Sequence, residues 1–287
     1  MPSSSPREHG AVFDEIAAAY DRNRPTYPER LVDHACATAG LAGGDRVLEI
    51  GCGSGQLTRD LAARGLRVTV VEPGRHLLSL AARNVAGPGS APVTFVKARF
   101  EDAQLAGEPY RAVFAASSFQ WLDPDVSWRK AADALPVGGT LALLQYCGLD
   151  EERSAHDQAA LLAALARTVP EIAARWPSYR DLAGTVAGAE RRRDNVSEVW
   201  AWLGSHDVAR AQAGELFGDV RIATQPVLLE QTADELNALL RTHSSYRQIS
   251  PDQREALERE SAALYERLGR PIRSSTVAVL VTARRSG

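Results

Sequence analysis

From residue 47 to residue 146 the chain alternates short apolar runs with segments of helical periodicity. Val47-Leu48-Glu49-Ile50 is too short for a helix and too apolar for a loop, so it predicts a buried strand. Runs at Arg67–Glu72, Val93–Ala98, Tyr110–Ala116 and Leu141–Tyr146 predict four more. Among them, Gln56–Arg64, His76–Val85 and Val126–Leu135 predict helices; Leu77, Leu80, Ala81 and Val85 form a stripe at three- and four-residue spacing. Gly65 stands just beyond the first of these, where a left-handed residue closes a helix. The alternation predicts a parallel sheet with right-handed crossovers. Ahead of it, Val12–Tyr20 predicts a short helix with Phe13, Ile16 and Tyr20 on one face, and Pro28 opens another that runs to about Ala39.

The regularity stops at Asp150. Residues 150–217 give no strand signal and divide into helices, about Glu151–Val169 and Val196–Trp202, with a turn at Trp176-Pro177. Val220–Leu229 and Ser275–Ala283 predict the last two strands, with helices over Ala233–Leu240 and Pro251–Leu268 between them. The expected fold is α/β, a doubly wound, mostly parallel sheet of seven strands. Residues 1–149 would form an N-terminal arm and the ligand-binding half, 150–217 a helical cap inserted after strand five, and 218–287 the remainder of the sheet. Ligands of such sheets bind outside the carboxyl ends of the strands, where an inserted cap can cover them.

Composition narrows the class. With 287 residues, 45% hydrophobic and 24% charged, the chain can bury one large core or a core plus a cap. A net charge of −3 and the absence of a basic stripe give no general attraction to nucleic acid. Cys36, Cys52 and Cys147 are scattered without metal-ligand spacing, which fits a reducing compartment, and no His/Asp/Glu cluster implies a metal. Residues 1–10 are polar and proline-bearing, without the apolar core of a secretion signal, and no apolar run is long enough to span a membrane. The expectation is a cytoplasmic enzyme, monomer or homodimer, acting on a small molecule.

The chemistry concentrates at the end of the first strand, where Glu49-x-Gly51-x-Gly53-x-Gly55 places an acid and three alternate glycines at a strand-to-helix turn. Glycine lets a ligand lie against backbone there, with Cys52 contributing its backbone rather than its thiol. The second strand ends in Glu72-Pro73, with Glu72 seventeen residues after Gly55, where a carboxylate can accept both hydroxyls of a ribose. A nucleoside-bearing cofactor follows. The spacing is not the G-x-G-x-x-G of dinucleotide sites, and Gln56-Leu57 replaces the Lys-Ser/Thr that a phosphate cradle requires.

The same stretch resembles motif I of class I S-adenosylmethionine-dependent methyltransferases. The resemblance implies that Glu49 faces the amino end of the methionine moiety, that the glycines pass beneath it, and that Glu72 holds the ribose; S-adenosylhomocysteine would be the product. Arg99-Phe100-Glu101-Asp102 is similar to the G-x-F-E-D segment of small-molecule members, which implies Phe100 and Glu101 beside the adenine, although Ala98 replaces a frequent glycine and Phe100 is equally suited to core packing. Ala115 to Asp123 resembles the S-F-H-W segment of the trans-aconitate and juvenile-hormone-acid methyltransferase-like branch, with Ser117 at the strand tip, Gln120 in place of the usual histidine, and Trp121 following. Tyr20 to Pro28 resembles the Y-x-x-x-R-P-x-Y-P segment of that branch, which implies Tyr20, Arg24 and Tyr27 near the methionine carboxylate. Thr242 to Arg247 is a fainter echo of its T-x-S-x-Y segment and places Tyr246 and Arg247 at the substrate.

Gln120 and His243 are therefore the candidate catalytic residues. Glutamine can orient an acceptor but cannot take a proton at neutral pH. Trp176, Tyr179, Trp200, Trp202 and His206 in the insertion either line an apolar substrate pocket or pack a core. The expected reaction is methyl transfer to an O, N or C nucleophile of a small molecule, a carboxylate or a natural-product intermediate. Two alternatives remain: a non-methylating reaction, such as a cyclisation, steered by the same cofactor, and a nicotinamide-dependent oxidoreductase, against which the glycine spacing argues.

Overall fold

A computed structural model of the protein describes residues 13–87, 91–105, 107–174, 176, 178–204 and 207–287, without the side chain of Arg247. Seven strands form one sheet in the order β3-β2-β1-β4-β5-β7-β6. They are β1 Arg46–Ile50, β2 Arg67–Val71, β3 Val93–Val96, β4 Ala112–Ala116, β5 Thr140–Gly148, β6 Phe217–Gln231 and β7 Ile272–Arg285. β1 to β5 run parallel, and β7 enters antiparallel between β5 and β6.

Side-chain alternation along β1 separates two cores. Leu48 and Ile50 pack on one face with Phe119, Trp128 and Val199. Val47 packs on the other with Ala35, Leu57 and Leu61 from helices Glu29–Ala39 and Gln56–Ala63. The sheet edges are blunted: β3 has four residues, and Pro226 interrupts the donors of β6. Helix starts follow local chemistry. Asp123 caps Pro124–Asp133 by accepting from the Asp125 amide, and Ser250 and Thr232 form capping boxes with Gln253 and Glu235. Gly65, at φ 78°, follows Gln56–Ala63 as the spacing predicts.

The cap differs from the single insertion expected over 150–217. Helices Val196–Gly204 and Gln212–Leu216 pack on the sheet as the crossover to β6, and Trp200 is fully buried in the same core as Trp128 and Phe217. The cover comes instead from two places, residues 152–180 after β5 and residues 232–269 between β6 and β7. Helix Glu152–Thr168 packs on helix Pro251–Leu268 and on β7. Its Asp157, 1% exposed, accepts from both Arg270 Nη atoms at 2.7 and 3.0 Å and from the Arg273 amide at 2.8 Å. One partner guanidinium and one amide satisfy a charge that would be costly alone. The two insertions are thereby tied together at the foot of β7.

Candidate functional site

A cavity of about 1050 Å³ opens at the carboxyl ends of β1, β2, β4 and β5, and both insertions overhang it. At one end lies the glycine turn. Gly51 has φ 68°, and a Cβ there would stand 2.6 Å from Cβ of Ser118. Gly53 has φ 56°, with the Tyr20 ring 3.3 Å from where its Cβ would be. A branched side chain at either is excluded both by dihedral and by space.

Glu72 closes this end. Its Oε2 accepts from the Gly53 amide at 3.1 Å and its Oε1 from the Gly74 amide at 2.8 Å. Burial pushes the carboxyl up to about 7, against those two donors. Pro73 and Glu101 share the wall; Glu101 accepts from the Asp123 amide at 2.8 Å, which ties the segment after β3 to the one after β4. Phe100 is wall and core at once, 2% exposed, with the Lys130 ammonium 5.5 Å above its ring.

Glu49, Cys52 and Gly55 lie beneath the turn instead of on the cavity wall. Glu49 shares the Val47 face of β1, so its carboxylate meets helix Gln56–Ala63 and accepts from the Thr58 hydroxyl at 2.7 Å. It is 1% exposed, and burial pushes it up to about 8. The Cys52 thiol is buried, which raises it well above its ordinary value. Gly55 packs a turn of backbone on Ala81, 3.0 Å from where a Cβ would be.

The other end of the cavity is assembled from distant segments. Tyr20 and Arg24 come from the N-terminal helix Ala17–Asn23 and the residue after it, the Arg24 guanidinium 5.2 Å from the Tyr20 ring centroid. Arg24 Nη2 donates to the Thr242 carbonyl at 2.8 Å, and its buried Nε has no partner among the described residues. Tyr27 stands behind the wall, stacked on Tyr146, with its hydroxyl 2.5 Å from Ser117 Oγ. Ser117 itself has φ 51°, a left-handed conformation unusual outside glycine, held by its amide to the Leu144 carbonyl at 2.8 Å.

Gln120 Nε2 donates to the Ser117 carbonyl at 2.9 Å, leaving a buried Oε1 without a partner among the described residues. Trp121 is on the wall, edge-on to Phe13 at 5.7 Å. His243 is half-buried on the wall; burial, reinforced by Arg24, holds it down at about 3, so it is neutral at physiological pH. Trp176 reaches the wall from the first insertion and donates to the Tyr179 hydroxyl at 3.3 Å.

The remaining aromatic candidates are elsewhere. Trp200 is core, as described. Trp202 is off the wall, with the Arg180 and Arg192 guanidiniums over its ring at 3.7 and 4.2 Å from the centroid. Tyr246 donates to Glu258 and packs with Val169, Ile172 and Ile249 in a small core under the cap. Arg247 ends the helix Ser244–Arg247, but its side chain lies outside the described residues, as does all of His206.

Sequence reasoning missed Gln145, Gly148 and Arg180. Gln145, whose buried Nε2 has no partner among the described residues, is the one amide side chain in the apolar run Leu141–Tyr146, a signal that was available. Gly148 lies close under the Tyr179 ring, and Arg180 comes from a segment without periodicity that bridges Leu149 beside it. Among the described residues no three His, Cys, Asp or Glu side chains gather to hold a metal ion, and no helix is long and apolar enough to cross a membrane.

Comparison with known proteins agrees with this geometry. A family described as "methyltransferase domain" matches residues 47–139, from the start of β1 to the turn before β5. An uncharacterised methyltransferase of Mycobacterium tuberculosis is 32% identical over 144 residues, 49% of this chain and 54% of that protein. Demethylmenaquinone methyltransferase of Clavibacter sepedonicus is 27% identical over 150 residues, 50% of this chain and 60% of that protein. The chain thus spans little more than half the length of these curated relatives. Among solved structures, a SAM-dependent methyltransferase from Geobacter sulfurreducens, in complex with S-adenosylhomocysteine, has a TM-score of 0.52 at 16% identity, covering 96% of this chain and 98% of that one. A protein described as a type II methyltransferase from Anaeromyxobacter dehalogenans has a TM-score of 0.61 at 22% identity, covering 91% and 97%.

Proposed function

From the premise that this chain carries a class I methyltransferase domain, we propose that it transfers a methyl group from S-adenosylmethionine to an O, N or C nucleophile of a small organic molecule. One observation carries the reading. Glu72 stands at the tip of β2 with its carboxylate aimed across a positive-φ glycine turn, and that turn opens into a cavity that continues under the cap. At about 1050 Å³ the space is at the upper end for one ligand and suits a cofactor with a small acceptor beside it.

The residues fit the cofactor by chemistry. Glu72 would accept from ribose hydroxyls, and Gly51 and Gly53, whose positive φ and close contacts with Ser118 and Tyr20 leave no space for a Cβ, would present bare backbone to the ligand. Phe100 would offer a ring face to the adenine, and Arg24 carries a buried, unpartnered Nε toward the methionine end. The cofactor supplies a methyl group already activated by the sulfonium, so the chain's task is alignment and exclusion of water. Gln120 and Gln145, each with one unpartnered amide atom at the tips of β4 and β5, would orient the acceptor. Neutral His243 would accept a hydrogen bond rather than hold a charge. A carboxylate acceptor, nucleophilic without a base, suits this wall best, and it agrees with the branch that Tyr20–Pro28 resembles. The setting we propose is cytoplasmic metabolism or natural-product assembly.

The test is to incubate the protein with methyl-labelled S-adenosylmethionine and a metabolite extract, and to identify the labelled product. Conversion of a metabolite without consumption of the cofactor would instead mark a non-methylating enzyme. By calorimetry, Glu72→Ala should weaken S-adenosylhomocysteine binding about ten- to a hundredfold, since charge-assisted hydrogen bonds are worth roughly 1.5–3 kcal/mol each. Unchanged affinity would remove the assignment.

A further inference from the structure

The charges on the cavity wall are distributed unevenly. Its carboxylates, Asp14, Glu72 and Glu101, all lie at the glycine-turn end, and each is already engaged. Asp14 accepts from the His76 and Leu77 amides at 2.7 and 2.9 Å, Glu72 from Gly53 and Gly74, and Glu101 from Asp123 and from Arg99 at 3.3 Å. Among the described residues, the β5 end has no acid on its wall. It has Arg180, which makes no ion pair among the described residues and whose only side-chain hydrogen bond there runs from Nη1 to the Trp202 carbonyl at 3.3 Å.

Arg180 is held as a binding fork is held. Its guanidinium carbon sits over the Trp202 ring, 3.7 Å from the centroid, a cation–π contact that holds the head group while only Nη1 is engaged in a hydrogen bond among the described residues. The backbone beneath it is pinned, since the Asp150 amide donates to its carbonyl at 2.8 Å and the residue bridges Leu149. The charge reaches the cavity: it opposes the upward push of burial on the Cys147 thiol, and Cys147 lines the wall at the tip of β5. Trp202 does not depend on it alone for support, because the Arg192 guanidinium also lies over the ring, 4.2 Å from its centroid. Around the fork the wall is apolar and aromatic, with Trp176, Tyr179, Leu203 and Ile172.

We propose that Arg180 is an anion subsite of the acceptor pocket, taking a carboxylate of an apolar or aromatic organic acid. The inference rests on the methyltransferase reading for its place beside the cofactor, and it adds the residue that selects the acceptor. A planar guanidinium already stacked and partly desolvated loses little freedom on pairing with a carboxylate, and no acid at this end competes for it.

The test measures binding of paired ligands to the protein saturated with S-adenosylhomocysteine. A panel of aryl- and alkyl-carboxylates from acetate to dodecanoate and indole-3-propionate is titrated against the corresponding primary amides. The expected result is that the acids that bind do so about ten- to a hundredfold tighter than their amides. Arg180→Gln should abolish that preference and Arg180→Lys should retain part of it, with S-adenosylhomocysteine affinity and melting temperature unchanged in both. No acid preference in the wild type, or the same preference in Arg180→Gln, overturns the subsite. Wild-type protein that fails to bind S-adenosylhomocysteine at all would instead strike at the methyltransferase reading, and the two failures are told apart before any acid is added.

Discussion

The two ends of the cavity are built on different principles. The glycine-turn end uses residues 49 to 74, one strand-turn-helix-strand unit, and its carboxylates are engaged within that unit, Glu72 by Gly53 and Gly74 and Glu49 by Thr58, while the buried Ser54 Oγ and Gln56 Nε2, without partners among the described residues, lie off the cavity wall. The cap end draws Arg24, Gln120, Gln145, Trp176, Arg180 and His243 from five separate segments and, among the described residues, leaves donors and acceptors open on Arg24, Gln120 and Gln145. A site completed by its own backbone is set for one ligand, whereas a site with open polar atoms awaits a partner to satisfy them. On the proposed function, the comparison teaches where constancy and choice would reside: the cofactor would be specified locally and the acceptor by assembly.

The sharpest way to break the comparison is a pair of glycine substitutions. Gly53→Val demands a branched residue at φ 56° and drives into Tyr20, so cofactor binding should be lost with the fold largely kept. Gly148→Val puts a Cβ 2.2 Å from the Tyr179 ring and should displace the cap-side wall. Misplacement on that scale costs on the order of a hundredfold in turnover, while S-adenosylhomocysteine affinity stays near wild type. Calorimetry and rate measurement on both variants check this; equal loss of cofactor binding in the two would mean that the ends are not separable.

A smaller effect concerns the acids under the turn. Glu49 and Glu72 have their carboxyls raised from an ordinary 4.5 to about 8 and about 7. Folding therefore favours their protonated forms, and their contribution to stability is full below about pH 4.5 and is lost as pH rises through 7 and then 8. The melting temperature of the ligand-free protein should fall across that window, and Glu49→Gln should flatten the fall. An unchanged slope in the variant would count against a buried, raised Glu49.

The smallest expected effect is at His243. Held at about 3, it has no ionisation between pH 5 and 8 to impose on the rate. His243→Gln should cost far less than the roughly 10²–10⁴-fold loss that removal of a general base brings, and the pH–rate profile should keep its shape. A lost limb near pH 6–7 in the variant would restore His243 as the base.

Legibility in the sequence divides along the same line. β1 to β5 and the glycine turn were readable because apolar runs, caps and turn residues are local signals. β6 and β7 extend a few residues beyond their predicted bounds, since antiparallel pairing with each other, and not their own hydrophobicity, carries Glu230-Gln231 and Ile272–Ser274 as strand. The helices of 150–217 were legible as helices, but their periodicity does not say what they cover. Trp200 was thus equally readable as pocket or core until Trp128 and Phe217 were seen around it. Glu49 was placed correctly on its strand, but the face of the sheet it occupies follows from register, which turns it toward Thr58 and away from the cavity. Arg180 gave no sign, because its setting depends on Trp202, twenty-two residues on.

Both parts of the cover are rooted at one side of the sheet. The first leaves β5 after Gly148, and the second leaves β6 after Gln231 and returns into β7 at Ile272, with Asp157 latching them. The glycine turn lies on the far side of β4 from all three junctions. Lengthening, trimming or exchanging either loop therefore leaves the cofactor cradle's own hydrogen bonds intact. For engineering, this makes the protein a chassis with a detachable roof: if it is the methyltransferase proposed, grafting the covers of another between Gly148 and Arg180 and between Gln231 and Ile272 is the economical route to a new acceptor, provided the graft brings its own latch to the foot of β7.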